Sequence, residues 1–148
     1  MNMNEPLKES TYIAIEGAIG VGKSSLCNKL AEHFSARQIL EEAEENPFLK
    51  SFYKKMEKYS FQTQLFFLLS RYKQQQEIKQ PNLFHQHTIS DYLFDRDRIF
   101  AYLTLSEDEI RLYEEVYSLL KPRIPKPDLL IYLQADLGII KKRIETRD

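Results

Sequence analysis

Three of the four glycines in this chain, Gly17, Gly20 and Gly22, lie within six consecutive residues. They belong to the string GAIGVGKS, which ends with Lys23 and Ser24 and completes the pattern Gly-x-x-x-x-Gly-Lys-Ser. A short apolar, β-branched run precedes the string, and leucines at helical spacing follow it. Because a phosphate-binding loop requires a strand before it and a helix after it, the pattern predicts an α/β protein that binds phosphate. A chance glycine turn is the alternative, which the flanking segments disfavour.

The predicted loop supplies backbone N–H groups to phosphate oxygens, and its glycines avoid the Cβ atoms that would block this approach. Lys23 is expected to reach the β- and γ-phosphates, and Ser24 to offer its hydroxyl to Mg²⁺. The predicted ATP-binding residues of the loop are Gly17, Ala18, Ile19, Gly20, Val21, Gly22, Lys23, Ser24 and Ser25. ATP and Mg²⁺ are therefore the expected cofactors.

Strand and helix patterns alternate along the rest of the chain. Strands are predicted at 12–15, 38–40, 88–90 and 129–133, and helices at 23–34, 48–56, 60–78, 106–120 and 137–145. Ser106, followed three residues later by Glu109, has the form of a capping box. This alternation implies a parallel sheet with helices on both faces. Residues 1–148 are predicted to form a single domain, because no feature of the sequence indicates a second one.

Composition excludes several other classes of protein. A net charge of −1 gives no electrostatic basis for binding nucleic acid. The single cysteine, Cys27, excludes an internal disulfide, and the longest apolar run, at 65–69, is far too short to span a membrane. A reduced, cytoplasmic protein without a membrane partner is therefore expected.

An acidic residue, Asp91, directly follows the third predicted strand. Ligands of open α/β sheets bind at the carboxyl edge of the strands, so a carboxylate here suits Mg²⁺, directly or through water. The alternative is that Asp91 caps the next helix.

The long helix at 60–78 carries Gln64 and Arg71 on one face, with Phe67 between them. Burying such polar groups without partners is costly, so they suggest a site that reads the edge of a nucleobase, with Phe67 as a ring to stack on. In the alternative interpretation both polar side chains point to solvent and only the apolar stripe is buried. Spacing alone does not decide between these two interpretations.

Four glutamates, Glu41, Glu42, Glu44 and Glu45, follow the second predicted strand. One of them could accept a hydroxyl proton during phosphoryl transfer. A run of charges is more often a solvated surface, which is the alternative here.

Together these segments resemble the deoxynucleoside kinase family over essentially the whole chain, in particular its bacterial deoxyadenosine/deoxyguanosine kinase branch. The strings that carry the resemblance are IEGAIGVGKSSL at 15–26, ENPFL at 45–49, FQTQLFFLLSR at 61–71, SDYLFD at 90–95 and PDLLIYL at 127–133. This combination is far more specific than the glycine loop alone.

The resemblance implies transfer of the γ-phosphate of ATP to the 5′-hydroxyl of a deoxynucleoside, with a purine deoxynucleoside as the implied acceptor. It assigns the general base to Glu41, the sugar 3′-hydroxyl contact to Tyr53, base reading to Gln64 and Arg71, positioning of the base to Asp97, the acid after the third strand to Asp91, and phosphate contacts to Arg143 and Arg147. Lys23 and Arg143 join Glu41 as the expected catalytic residues.

Two departures from the family pattern affect the predicted site. Glu41 is followed by Glu42 and Ala43 in place of Pro-Val, so the choice of base among Glu41–Glu45 stays open. Tyr92 replaces the arginine that many members carry after the strand-3 acid, and Arg96 or Arg98 is expected to substitute for it.

The resemblance also leads us to expect that the chain ends inside the lid and leaves the strand at 129–133 as an edge strand. Three functions therefore stay open: an active deoxynucleoside kinase, a nucleotide-binding remnant with little catalysis, and a nucleoside monophosphate kinase similar to thymidylate kinase. The last would require a cationic site for the acceptor phosphate near Tyr53, and the sequence shows none. A homodimer through the helices at 61–78 and 106–120 is also implied by the resemblance.

Overall fold

The strand that leads into the glycine loop is an inner strand of a four-stranded parallel sheet. The computed structural model describes residues 10–42, 45–80 and 82–146. Its strands are β1 (Tyr12–Gly17), β2 (Arg37–Ile39), β3 (Thr88–Ser90) and β4 (Leu129–Leu133), in the spatial order β2-β3-β1-β4. β1 pairs with β3 on one side and with β4 on the other.

The helices are α1 (Lys23–Phe34), α2 (Leu49–Lys54), α3 (Met56–Lys79), α4 (Arg96–Thr104), α5 (Glu107–Leu120) and α6 (Leu137–Glu145), with a short 3₁₀ helix at Lys121–Arg123. The chain divides into two compact units. The first comprises the described residues of Met1–Leu40, Pro81–Leu93 and Lys126–Asp148, and the second those of Glu41–Gln80 and Phe94–Pro125. The organisation of residues 1–148 as one domain stays a prediction.

The first unit contains the whole sheet together with α1 and α6. Ile13 and Ile15 of β1 and Ile89 of β3 are buried in one apolar cluster with Cys27 and Ala31 of α1. This burial explains why the β-branched run before the loop forms a central strand, since both of its neighbours contribute apolar side chains to the same core.

The second unit consists of α2, α3, α4 and α5. Its apolar cluster contains Leu68, Phe94, Ala101, Tyr113 and other side chains from α3, α4 and α5. The buried face of α3 is nevertheless mostly polar, and its buried residues are Ser60, Thr63, Gln64, Leu68, Arg71 and Gln75. A buried polar face must be satisfied by partners, so α3 is the element to search for a site.

The four predicted strands and the five predicted helices are confirmed, with boundary changes of a few residues. The capping box is present, because Ser106 and Glu109 exchange side-chain and backbone hydrogen bonds. The helix α4 was missed, because its buried positions are Asp97 and Ala101 while Ile99 and Leu103 are exposed, which removes the usual apolar periodicity. Among the described residues, no helix is long and apolar enough to cross a membrane.

Candidate active site

The glycine loop occupies the connection between β1 and α1 in the first unit. Gly22 precedes the first residue of α1 and has a φ of 102°. This left-handed backbone conformation is strained for any residue with a side chain, so glycine is favoured there. At Gly17 a Cβ atom would lie 2.7 Å from the carbonyl oxygen of Leu133, so the close approach of β4 requires glycine there. These two glycines fix the path of the loop at its entry and exit, as the sequence pattern predicted.

Lys23, the first residue of α1, is held against the start of the loop. Its Nζ donates to the carbonyl oxygen of Gly17 at 2.8 Å and lies 3.6 Å from Oε1 of Glu16. Glu16 also accepts from the backbone N–H of Leu93 at 3.0 Å, which ties the end of β1 to the segment after β3. Sequence reasoning did not assign a role to Glu16, although an acidic residue near the end of an apolar strand was the available signal.

Arg143 of α6 contacts the same loop. Its guanidinium donates to the carbonyl oxygen of Val21 at 3.1 Å. A Cβ atom at Gly20 would lie 3.1 Å from Ile144 and 3.2 Å from the backbone oxygen of Ile140, so α6 packs directly on the loop. The structure thus brings Arg143 to the predicted phosphate site, while Arg147 lies outside the described residues.

Asp91 lies directly after β3, and its backbone N–H donates to the carbonyl of Ile39 at 3.3 Å. The interpretation of Asp91 as a helix cap is wrong, because the next helix begins at Arg96 and Asp95 occupies its N-cap position. Burial and then the negative charge of Asp91 raise the pKa of the Cys27 thiol to about 12. The carboxylate of Asp91 therefore acts electrostatically on the first turns of α1, the helix that carries Ser24.

The residues of this unit fit a magnesium ion bound together with phosphate. Ser24 is exposed at the start of α1, and its hydroxyl and the carboxylate of Asp91 are oxygen ligands of the kind that Mg²⁺ prefers. No cluster of three or more His, Cys, Asp or Glu side chains that could hold a metal occurs among the described residues. Phosphate oxygens and water would therefore supply the remaining ligands, as is usual for Mg²⁺.

In the second unit, the face of α3 that carries Gln64 and Arg71 is buried. Their exposed fractions are 6% and 5%, so the interpretation in which both point to solvent is wrong. The side-chain oxygen of Gln64 accepts no hydrogen bond from the described residues. Phe67 lies between them in sequence, with its ring centre 5.2 Å from the Cζ atom of Arg71. A buried amide oxygen without a donor is costly and indicates a place for a ligand N–H group.

Arg71 links two carboxylates through its two terminal nitrogens. One nitrogen donates to Asp97 of α4, and the other donates to Glu41. Asp97 is completely buried, and burial raises its pKa even though Arg71 and the Tyr113 hydroxyl oppose this change. The three side chains form one buried charged cluster, which the sequence suggested only in part.

Glu41 is further held by Arg96, which donates to its second carboxylate oxygen at 3.1 Å. Arg98 instead makes two hydrogen bonds to Glu114, at 2.7 and 3.1 Å. Of the two arginines expected to substitute for the one missing at Tyr92, Arg96 is therefore the one that contacts Glu41.

The other glutamates after β2 are placed differently from Glu41. Glu42 and Glu45 are exposed, and Glu44 lies outside the described residues. Among the described glutamates of this group, Glu41 is thus the one that is half-buried and bound by arginines, so its side chain has a defined position.

Tyr53 lies on α2 and is 76% exposed. The preceding Asn46 is buried, and its side chain donates to the carbonyl of Thr63 and accepts from the N–H of Phe48, each at 3.0 Å. Asn46 therefore anchors the start of α2 on α3 and sets where Tyr53 emerges.

Residues 13–148 match the deoxynucleoside kinase family. The chain belongs to this family. It is 39% identical to a deoxyguanosine kinase of Bacillus subtilis strain 168, covering 95% of this chain and 69% of that relative. It is also 34% identical to a deoxyadenosine/deoxycytidine kinase of the same organism, covering 95% of this chain and 67% of the relative.

Solved structures of relatives agree with this membership of the deoxynucleoside kinase family. The fold superimposes on a deoxyadenosine kinase from M. mycoides with products dCMP and a flexible dCDP bound, with a TM-score of 0.78, 26% identity and coverage of 92% and 70% of the two chains. A structure of that kinase with bound dATP gives a TM-score of 0.75 with 92% and 71% coverage. The predicted family, fold class and enzyme class are therefore confirmed.

Two tyrosines of this deoxynucleoside kinase fold were missed by sequence reasoning. The hydroxyl of Tyr113 donates to Asp97, and that of Tyr117 donates to Asp95. The available signal was their spacing of four residues on α5, which puts them on one face, but the sequence does not say which acids they meet.

We expect Arg71→Met to destabilise the fold by about 3 kcal/mol, because it leaves the fully buried Asp97 without the charge that compensates its burial and removes one of the two arginines that bind Glu41. Urea unfolding followed by circular dichroism measures this loss. Arg111→Met is the matched control, since Arg111 is highly exposed and its contacts to Glu107 and Asp108 are 3.8 and 3.9 Å long. Equal losses in the two variants would contradict the assignment of a buried charged cluster.

Proposed function

We propose that this chain transfers the γ-phosphate of ATP to the 5′-hydroxyl of a purine deoxynucleoside. The observation that carries the proposal is the buried cluster in which Arg71 links Asp97 to Glu41. In this cluster the guanidinium of Arg71, the proposed base reader, also holds Glu41, the proposed general base. The glycine loop of the first unit supplies the proposed phosphate site. The named activities of the Bacillus subtilis relatives support a deoxynucleoside as acceptor.

Glu41 is the proposed general base. A carboxylate that accepts from both Arg71 and Arg96 has a restricted orientation, which favours proton transfer from a hydroxyl placed beside it. The two arginines also supply positive charge, which phosphoryl transfer needs more than covalent chemistry.

The proposed base-reading site consists of Gln64, Arg71 and Phe67, with Asp97 behind them. The buried amide oxygen of Gln64 can accept from an exocyclic amine, and its NH₂ group can donate to a ring nitrogen. Adenine offers this pair of groups on one edge, and so does cytosine, so the pair by itself does not select a purine. The Bacillus subtilis relatives are named as a deoxyguanosine kinase and a deoxyadenosine/deoxycytidine kinase, and a purine deoxynucleoside is common to both names, which supports the choice of a purine.

Tyr53 is the proposed contact to the sugar 3′-hydroxyl. The exposure of its side chain on α2 leaves the phenol available to a ligand.

ATP is the proposed phosphate donor, bound by the loop Gly17–Ser25. In its proposed role, Lys23 exchanges its contacts with Gly17 and Glu16 for contacts with phosphate oxygens. Arg143 of α6 and Arg147 are proposed to add positive charge near the phosphates. Mg²⁺ held by Ser24 and Asp91 would neutralise negative charge on the phosphates. Because the cytoplasm contains ATP, we propose it as the compartment in which this chain acts.

We expect Glu41→Gln to lower kcat by about 10²–10⁴-fold, because the amide cannot accept the proton of the 5′-hydroxyl. A coupled assay with ATP and each of the four deoxynucleosides measures the rate. Glu42→Gln is the matched control and should keep the wild-type rate, since Glu42 is exposed. A loss in Glu42→Gln with none in Glu41→Gln would move the base to the neighbouring glutamate.

The same assay of the unaltered chain tests the function itself. Turnover of deoxyadenosine or deoxyguanosine supports the proposal. ATP binding without product on any deoxynucleoside would overturn it in favour of a nucleotide-binding protein with little catalysis.

We expect Lys23→Ala to weaken ATP binding by roughly tenfold or more, because it removes the cation proposed to pair with the phosphates. Isothermal titration calorimetry with a non-hydrolysable ATP analogue measures the affinity. Lys29→Ala is the control, since Lys29 is an exposed lysine of the same helix. Equal affinities for all three proteins would show that Lys23 does not contact the nucleotide.

We also propose a homodimer, formed mainly through α4 and α5. Large apolar side chains are exposed on both helices, at Ile99 and Leu103 of α4 and at Leu112 and Leu119 of α5. Each pair has helical spacing and so forms a continuous stripe. Among the described residues 61–78, Leu69 is the exposed large apolar side chain, so α3 offers less apolar surface than the sequence suggested.

We expect Leu103→Glu to convert the dimer to a monomer, because it puts an unpaired charge into an apolar interface. Sedimentation velocity gives the mass. Leu83→Glu is the control, because Leu83 is 96% exposed in a loop of the other unit. A monomeric unaltered chain at all concentrations would rule out the dimer.

A further inference from the structure

Asp97 is a buried acid whose two carboxylate oxygens both have donors from this chain. One oxygen accepts from Arg71 of α3, and the other accepts from the hydroxyl of Tyr113 of α5. Its side chain has no exposed surface at all. A carboxylate enclosed in this way acts on a ligand through the guanidinium that it holds rather than by direct contact.

Tyr113 is also completely buried, in a cluster that includes Leu68, Ala101 and Tyr117. Burial raises the pKa of its phenol, and the negative charge of Asp97 raises it further. The hydroxyl therefore stays protonated at neutral pH and remains a donor to Asp97.

We infer that Tyr113 is a positioning residue for base recognition: its hydroxyl fixes Asp97, and Asp97 in turn fixes the guanidinium of Arg71 that reads the base. This inference rests on the proposed function. It extends the specificity site to α5, a helix that the proposed substrate contacts do not include.

The geometry also couples base recognition to the proposed general base. Arg71 divides its two terminal nitrogens between Asp97 and Glu41, so a change in how firmly Asp97 holds one nitrogen also changes how the planar guanidinium presents the other to Glu41. By fixing Asp97, the hydroxyl of Tyr113 thus stabilises the orientation of Arg71 in which its guanidinium donates to both carboxylates.

A matched control lies one helical turn away on the same helix. Tyr117 is 6% exposed, its ring centre is 6.1 Å from that of Tyr113, and its hydroxyl also donates to an aspartate, Asp95. Asp95 additionally binds Lys121, so it keeps a cationic partner when the hydroxyl is removed. Tyr117→Phe therefore removes an equivalent hydroxyl without touching the Asp97–Arg71 pair.

The experiment compares Tyr113→Phe with Tyr117→Phe in steady-state kinetics with deoxyadenosine and deoxyguanosine. We expect Tyr113→Phe to raise KM for the deoxynucleoside about tenfold while KM for ATP is unchanged, because a hydrogen bond to a charged group is lost behind the base-reading arginine. Tyr117→Phe should leave both constants unchanged.

The pH dependence of kcat/KM provides a readout that a purely structural role would not change. Asp97 is faced by Arg71 from α3, by Tyr113 from α5 and, electrostatically, by Glu41 from the segment after β2. Loss of the Tyr113 donor raises the pKa of Asp97 further, and a protonated Asp97 no longer holds Arg71 by charge. The acid limb of the profile should therefore move to higher pH in Tyr113→Phe alone.

A second variant keeps the inference testable if Tyr113→Phe folds poorly. Replacing Tyr113 with 3-fluorotyrosine preserves the ring and makes the hydroxyl a stronger donor, so the acid limb should move to lower pH. Carbon-detected NMR of the Asp97 carboxyl, in the chain without substrate, follows the same two shifts directly.

Three outcomes are decisive. Equal changes in KM for the deoxynucleoside in Tyr113→Phe and Tyr117→Phe, or an acid limb that does not move in Tyr113→Phe, would overturn the inference. If the unaltered chain still turns over the deoxynucleoside, the proposed function is unaffected by that result. An unaltered chain without turnover on any deoxynucleoside would overturn the proposed function, and the inferred role in base recognition with it. An Asp97 titration that responds to neither Tyr113 variant would show that Tyr113 does not hold this carboxylate, whatever the activity.

Discussion

The buried guanidinium of Arg71 is the constraint on which the second unit depends. Its terminal nitrogens bind the half-buried Glu41 and the fully buried Asp97, and without it the charge of Asp97 would be buried at a large desolvation cost. The polar face of α3, the orientation of α4 at Asp97 and the position of Glu41 all meet at this one cation. Apolar residues of the same size would give a core at least as stable as this charged cluster, because they carry no desolvation cost. The cluster therefore indicates a functional role rather than a contribution to stability.

The first unit depends on a different kind of constraint, which is backbone geometry. The loop between β1 and α1 needs glycines where its chain turns left-handed and where β4 approaches closely, as at Gly22 and Gly17. Its lysine is held in place by Glu16 and by the loop carbonyl. A phosphate would therefore replace contacts that already orient Lys23, which reduces the entropy lost on binding.

Sequence patterns predicted the fold well where apolar periodicity or turn chemistry was strong. The four strands, α1, α6 and the capping box of α5 are examples, because a buried strand or a cap is a local property of a few residues. The helix α4 was missed since its inward positions include a charged residue, Asp97, in place of an apolar one. The apolar periodicity is therefore lost at the position where the site places a charged side chain in the core.

The sequence by itself determined the phosphate loop, the parallel α/β fold and, through shared motifs, membership of the deoxynucleoside kinase family. Only the tertiary structure decided which partners the charged side chains take: Arg96 rather than Arg98 on Glu41, and Tyr113 on Asp97. The loop and the strands follow from local backbone preferences and apolar spacing, which short stretches of sequence contain. The ion pairs join residues up to 55 positions apart, and their choice depends on distances that exist only once the helices have packed.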